Sequence, residues 1–417
     1  MKHSVFYSCC LLISVPLIIM SCSGLDGNYS RGRTRSQTVS GKPHDNGKPY
    51  VSDTSVYLTA LEFPRGYDWK KDTLYGKVNC KLVLFKNGSR TLELPAKFDS
   101  GISPDPDTHR VIEGYLYTDY CTDGETIISR DGRSLFHYQG EELMSGFLVK
   151  DGDVYTLGQD RSGHGFSFRK NGKSILKKEN GEIMGGMYDS AYENGALYES
   201  GGHLYFSYYN TSISGKTVEK KYFLVEDGVA VRIDSEKVYD EIYDLRMSGG
   251  VLYKTVKVKG SLYPLSLFSG DSRSDLGKNY NIKVTSAFIL PNANDIMVQE
   301  TFVNTRSDSG FMSIWKASGF VGSYNTDTDI YAERGKLYAV EMDTSGYAYR
   351  FRFGSGSIKL SNKYYFISNH CATVENGHFY LVLTPACINK KPVLWKDSDS
   401  STVNIENGYV TSVSVCP

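Results

Sequence analysis

The chain has 417 residues, and its 47 basic and 47 acidic side chains balance to a formal net charge of +0. That balance excludes the charge excess of a protein whose main partner is nucleic acid or an anionic surface. Tyrosine (32) and glycine (41) are abundant, which suits strands joined by tight turns, because aromatic rings fit a pleated surface and glycine supplies positive φ.

Residues 1–21 read as a targeting signal. A short polar start, Met1-Lys2-His3, leads into an apolar run through Leu11-Leu12-Ile13 and Leu17-Ile18-Ile19. The run is too short for a membrane span and fits a cleaved signal peptide. It ends at Ile19-Met20-Ser21-Cys22, the pattern of a lipobox in which Cys22 becomes the lipidated first residue of the mature chain. Acyl chains on Cys22 would anchor the protein without spanning the bilayer, each buried CH₂ contributing about 0.8 kcal/mol. Residues 22–50 then read as a flexible tether. Ser40-Gly41-Lys42-Pro43 and Asn46-Gly47-Lys48-Pro49 lie within it, and nothing there has the apolar periodicity of a core.

From residue 51 to 417 a tyrosine-anchored motif recurs eight times. Its anchors are Tyr57, Tyr117, Tyr155, Tyr205, Tyr253, Met297 (in place of Tyr), Tyr338 and Tyr380. The intervals average about 46 residues, in the range of propeller blades. Each copy contains a hairpin turn, the anchor strand, a further strand, a second turn and an outer apolar run. The last copy is the clearest. Ala372-Thr373-Val374-Glu375 is a strand and Asn376-Gly377 a type I′ turn, both of whose residues need positive φ. Phe379 to Leu383, Val393 to Trp395 and Thr402 to Ile405 complete four strands. The second turn reappears as Lys86-Asn87-Gly88, Arg130-Asp131-Gly132, Lys170-Asn171-Gly172 and Glu226-Asp227-Gly228.

The pattern predicts an all-β fold, a β-propeller of about eight four-stranded antiparallel blades, with seven as the alternative count and a two-domain β-sandwich as a further reading. The first copy has little room for an innermost strand, whereas residues 408–415 form a strand-like run with nothing after it. The C-terminal strand is therefore expected to complete the first blade. The Tyr…(Trp/Phe)-Lys-Asn-Gly-like repeat behind a lipobox, seen in Phe85-Lys86-Asn87-Gly88, Trp315-Lys316 and Trp395-Lys396-Asp397, resembles the β-propeller lipoproteins of Bacteroidota. The resemblance implies a propeller held at the bacterial outer membrane and brings no catalytic residue with it. Cell-surface display is the expected orientation. Members exported to the surface carry several acids after the lipid cysteine, however, and here Ser23-Gly24-Leu25-Asp26 supplies one.

No nucleophile elbow, zinc helix, phosphate loop or dinucleotide turn occurs, and no catalytic residue, metal ligand or cofactor is assigned. Five cysteines remain outside the signal, Cys80, Cys121, Cys371, Cys387 and Cys416. Their spacing fits no zinc site, and they read as small buried side chains with room for one disulfide. His203 and His378 precede anchor strands at hairpins, where a turn role is expected over metal binding. Most tyrosines are accounted for by blade packing. The exception is an insertion in the first copy that carries Tyr67, Trp69 and Tyr75, the expected contact surface for a glycan or protein partner. The leading functional reading is a non-catalytic binding or scaffold module. The alternative is a polysaccharide lyase or glycoside hydrolase with its site in the central channel.

Overall fold

The computed structural model describes residues 54–69, 78–98, 109–122, 124–160, 164–184, 196–214, 217–233, 239–277, 282–290, 296–304, 310–324, 328–333, 336–342, 349–353, 356–359, 364–365, 369–385 and 390–416. The signal, the tether, Cys22 and Tyr75 lie outside the described residues.

Among the described residues the chain is almost wholly strand, and the strands form antiparallel sheets that follow one another along the sequence. Sheet 1 has the order Ser89–Phe98, Val78–Lys86, Ser55–Glu62, Gly408–Cys416. Sheet 2 runs through His109–Ile112, Tyr115–Thr122, Glu125–Arg130 and Arg133–Gln139. Sheet 3 runs through Glu142–Lys150, Asp153–Asp160, Phe166–Lys170 and Lys173–Lys178. In sheet 4 the first strand is split into Glu182–Ile183 and Tyr198–Ser200, ahead of His203–Ser214, Thr217–Glu226 and Val229–Ile233. Sheets 5, 6 and 7 begin at Tyr239–Ser248, Ile282–Leu290 and Thr328–Glu333 and end at Ser272–Leu276, Gly319–Tyr324 and Gly356–Lys359. Sheet 8 again has a split first strand, Tyr364–Tyr365 and Ala372–Glu375, followed by His378–Pro385, Val393–Lys396 and Asp399–Thr402.

The C-terminal strand Gly408–Cys416 lies antiparallel to Ser55–Glu62, from Ser55 opposite Cys416 to Glu62 opposite Gly408, with one bulge after Thr59. Its Thr411 and Ser412 hydroxyls meet the Thr59 hydroxyl at 2.8 and 2.5 Å, and Thr411 also hydrogen-bonds His109 of sheet 2 at 2.7 Å.

The core lies between sheets rather than within them, because a lone four-stranded sheet cannot cover its own faces. Tyr117 and Ile128 of sheet 2 pack with Phe147 and Val154 of sheet 3. Phe166 and Phe168 of sheet 3 pack with Leu204 and Phe206 of sheet 4. Sheets 4 and 5 share Tyr222, Ile242 and Val256, and sheets 5 and 6 share Leu267, Ile289 and Val298. Met312 and Ile314 meet Ile330 and Ala339 between sheets 6 and 7, and Tyr338 and Val340 meet Phe379 and Leu381 between sheets 7 and 8. Sheet 8 also shares a cluster with sheet 1, where Tyr380 and Val382 meet Leu58, Ala60 and Val83. Sheet 1 in turn shares one with sheet 2, through Tyr57, Leu61, Val111 and Leu116.

Two details differ from the sequence reading. The outer strand of sheet 8 is Asp399–Thr402, three residues earlier than expected, since Lys396 pairs directly with Asp399 across a tight turn. Val403 and Ile405, expected within that strand, lie beyond it and are buried in the cluster shared with sheet 1. The second copy is compact and carries four complete strands. Its economy comes from the short link between Thr122 and Glu125, which face each other as the last pair of their ladder. Cys80, Cys121, Cys371 and Cys416 are free thiols, and Cys387 lies outside the described residues.

Candidate functional site

A local device explains why the motif recurs. In five sheets the turn between the third and fourth strands carries an Asn or Asp at positive φ: Asn87, Asp131, Asn171, Asp227 and Asp397. Asx residues tolerate this left-handed region better than other side chains. Each is clamped at two points to the residue before the anchor. Its N–H donates to the carbonyl of Val56, Leu116, Val154, Leu204 or Phe379 at 2.8–2.9 Å. Its side-chain oxygen accepts the N–H of the same residue at 2.8–3.0 Å. The apolar-Tyr pair and the Asx-Gly turn are thus two halves of one clamp, although some thirty residues can separate them.

The residue that enters this second turn sits opposite the anchor, whether or not an Asx follows it. It is basic in five sheets: Lys86, Arg130, Lys170, Lys316 and Lys396 face Tyr57, Tyr117, Tyr155, Met297 and Tyr380. The ammonium groups of Lys86, Lys170 and Lys396 stand 5.5 Å from the ring centroids of their tyrosines, within cation–π range. Sheets 5 and 7 place Ser269 and Phe353 there. Sheet 4 alone places an acid, Glu226, opposite Tyr205.

Glu226 belongs to a cluster. His203 Nδ1 lies 2.7 Å from Asp227 Oδ2 and 3.4 Å from Glu226 Oε1. These three side chains are the group of potential metal ligands brought together among the described residues, with donor atoms all within 4.8 Å of one another. Partial burial pushes the Asp227 carboxyl up, but hydrogen bonds from the Leu204 N–H and His203 outweigh it and hold the group below the usual carboxylate range. His378 and Asp397 repeat the His–Asp pair in sheet 8 at 2.7 Å. Both histidines thus contact the Asp of the second turn of their own sheet.

The insertion of the first copy occupies a second location. Phe63 is buried, and around it Tyr67 and Trp69 are half-buried against the cluster shared by sheets 1 and 2. Ring centroids of Trp69 and Tyr409 lie 4.7 Å apart, and those of Phe63 and Tyr67 5.3 Å apart. Asn407 fixes the loop, its Nδ2 donating to the carbonyls of Pro64 at 2.8 Å and Tyr67 at 2.9 Å. Tyr67 and Trp69 are thus brought together with Tyr409, which sequence reasoning did not single out because it arrives from the far end of the chain. Tyr75 lies outside the described residues.

Buried polar pairs occur both within sheets and between them. Arg169 and Glu142 form an ion pair at 2.5 Å, and the Arg169 guanidinium stacks 3.9 Å from the ring centroid of Tyr138 in sheet 2. Burial pushes the Glu142 carboxyl up despite that partner. Asp244 of sheet 5 accepts the N–H of Ile289 in sheet 6 at 2.9 Å. Glu300 of sheet 6, 2% exposed, accepts the Trp315 indole N–H at 2.8 Å. Burial raises its carboxyl to about 7, with the indole partly offsetting the rise.

No protein-family model matches the chain, and no curated protein matches it by sequence. Solved structures give loose overlaps. The dihydro-heme d1 dehydrogenase NirN is 8% identical, with 90% of this chain and 77% of that chain covered and a TM-score of 0.47. A putative exported protein of Bacteroides fragilis is 7% identical, with coverages of 57% and 79% and a TM-score of 0.29. A quinonprotein alcohol dehydrogenase-like protein of Bacteroides thetaiotaomicron is 9% identical, with coverages of 64% and 87% and a TM-score of 0.24. The propeller-like all-β character rests on this chain's own sheets, and none of these neighbours assigns a ligand or an activity to it. No described helix is long and apolar enough to cross a membrane.

Proposed function

We propose that the chain is a lipid-anchored β-propeller of eight blades, closed by its C-terminal strand, that acts at the bacterial outer membrane as a non-catalytic binding or scaffold module. Closure is supported by the pairing of Gly408–Cys416 with Ser55–Glu62 and by the shared clusters that run from sheet to sheet and from sheet 8 to sheet 1. Anchoring rests on the lipobox at Cys22, and surface-facing display is the orientation proposed. Radiolabelled palmitate entering the wild-type protein but not Cys22→Ala supports the anchor; equal labelling overturns it.

The observation that carries the binding role is the ordered aromatic edge made by Tyr67, Trp69 and Tyr409. Aromatic side chains that are held rigid yet half-exposed lose little conformational entropy on binding, which favours contact with sugar faces or protein surfaces. The partner class is a glycan or a protein. Affinity electrophoresis of the soluble domain through gels containing individual polysaccharides tests the glycan arm. Retardation that is lost in Trp69→Ala, with unchanged melting, supports the assignment. Retardation unaltered by Trp69→Ala removes this edge from the binding surface, and passage through every polysaccharide without retardation removes the glycan arm.

A further inference from the structure

We infer that His203, Glu226 and Asp227 form a binding site for a divalent transition-metal cation of the Zn²⁺ class at the rim of sheet 4. The donor set is one imidazole and two carboxylates, which suits zinc, cobalt or nickel better than an all-oxygen cation such as magnesium. The spacing also fits. Ligand atoms about 2.0–2.1 Å from a tetrahedral ion lie roughly 3.3 Å apart, and His203 Nδ1 already stands 2.7 and 3.4 Å from the two carboxylate oxygens. All three side chains are about half exposed, so an ion can reach them from solvent.

The repeat supplies an internal comparison. Sheet 8 has the same clamp and the same His–Asp pair, but Lys396 stands where sheet 4 has Glu226, and its ammonium lies over Tyr380. There the residue opposite the anchor is a cation of the protein's own rather than a second carboxylate. In sheet 4 that lysine has become an acid, which leaves two carboxylates beside an imidazole. The clamp also pre-positions the site: Asp227 Oδ1 is held by the Leu204 N–H, while Oδ2 faces His203. Tyr205, across the ladder from Glu226, hydrogen-bonds to the Glu226 carboxylate and helps hold it. The positive charge that faces the cluster is Lys150, whose ammonium is engaged by Glu199 at 3.6 Å and by the Gly202 carbonyl. Metal binding would use the Nδ1 lone pair, with the ring proton carried on Nε2.

The test is titration of the untagged chain produced without its signal, residues 23–417, with Zn²⁺ by calorimetry at neutral pH. The wild type is expected to bind one ion per chain at this site. Glu226→Lys installs the residue typical of the repeat, which should preserve the fold, and is expected to weaken binding by about tenfold or more, as loss of a ligand does at least as severely as loss of a ligand's support. Lys396→Glu should create the same donor set in sheet 8 and raise the stoichiometry to two. Co²⁺ bound to the wild type should show no thiolate charge-transfer band, which separates this site from the cysteines. The assignment is overturned if the wild type takes up no Zn²⁺ at millimolar concentration, if Glu226→Lys binds as tightly as the wild type, or if the Co²⁺ spectrum shows thiolate ligation. If Lys396→Glu does not fold, as judged by its melting curve, Glu226→Lys decides the matter alone.

Discussion

Replacing Glu300 by Gln should stabilise the protein above neutral pH and change it far less in mild acid. Glu300 is buried in the second strand of sheet 6, with one carboxylate oxygen on the Trp315 indole N–H and the other, Oε1, without a hydrogen-bond partner. Burial disfavours the charged form and raises the carboxyl from its ordinary 4.5 to about 7. The folded state therefore holds a proton that the unfolded chain releases between those values, so folding is weakened as pH rises through that window. Stability falls by about 1.4 kcal/mol for each pH unit crossed inside it. Across the whole window the wild type loses about 3 kcal/mol, and the loss is complete above pH 7. Gln cannot ionise, and its carbonyl can still accept the indole hydrogen bond. Urea unfolding of both proteins at pH 5 and pH 8.5 measures the difference. The variant should gain about 3 kcal/mol relative to the wild type at the upper pH and less than about 1 kcal/mol at the lower. An equal effect at both pH values, in either direction, refutes the reasoning, because it would mean that the carboxyl titrates alike in the folded and unfolded states.

Deleting residues 408–417 removes the strand beside Ser55–Glu62 and exposes the partners of Val410 and Val413, which are 0% and 5% exposed. Those two side chains alone account for about 3–6 kcal/mol, a large share of a typical domain stability of about 5–15 kcal/mol. Cooperative melting should be lost or greatly lowered, and an unchanged melting curve in the truncated chain would contradict the role given to this strand. Asn171→Ala deletes the side-chain half of the clamp on Val154 and the hydrogen bond to Asp153, and it leaves a Cβ residue at φ 50° without Asx chemistry. A loss of about 2 kcal/mol is expected in denaturant unfolding, with Asn171→Gly recovering only the conformational part. In Gly132→Ala the new methyl carbon would stand 2.5 Å from Leu94 Cδ2 of sheet 1 at a φ of +77°. A melting temperature equal to wild type would show that this sheet contact yields freely.

Much of the fold was legible because its signals are local. An Asx-Gly pair announces positive φ, and an apolar-Tyr pair announces a half-buried strand. The clamp at Asn87 and Val56 explains why the two signals recur together, since one makes hydrogen bonds to the other. The outer strand of sheet 8 was misplaced because apolar Val403 and Ile405 look like strand residues but serve the contact with sheet 1. The meeting of Trp69 with Tyr409 is a product of chain ends brought side by side, which no spacing along the sequence reveals. Glu300 and the Arg169–Glu142 pair were also out of reach, because alternation shows which face a residue occupies but not whether another sheet covers that face.

The departure at Glu226 stands differently. Its signal was present in the sequence: the residue before the turn Asx is basic at Lys86, Arg130, Lys170 and Lys396 and acidic only at Glu226. Its meaning needed the register, which sets that residue against the anchor tyrosine and brings His203 alongside. In a repeat protein the recurring residues are largely explained by the demands of stacking one sheet on the next. A residue that breaks the pattern while keeping the clamp intact is not explained that way, because the lysine it replaces would have served the turn equally well. The same reasoning separates Tyr67 and Trp69 from the anchors Tyr57, Tyr117, Tyr205, Tyr338 and Tyr380, whose burial between sheets already accounts for them. Function in this chain is therefore best sought where the fold's own requirements are already met and a residue still differs.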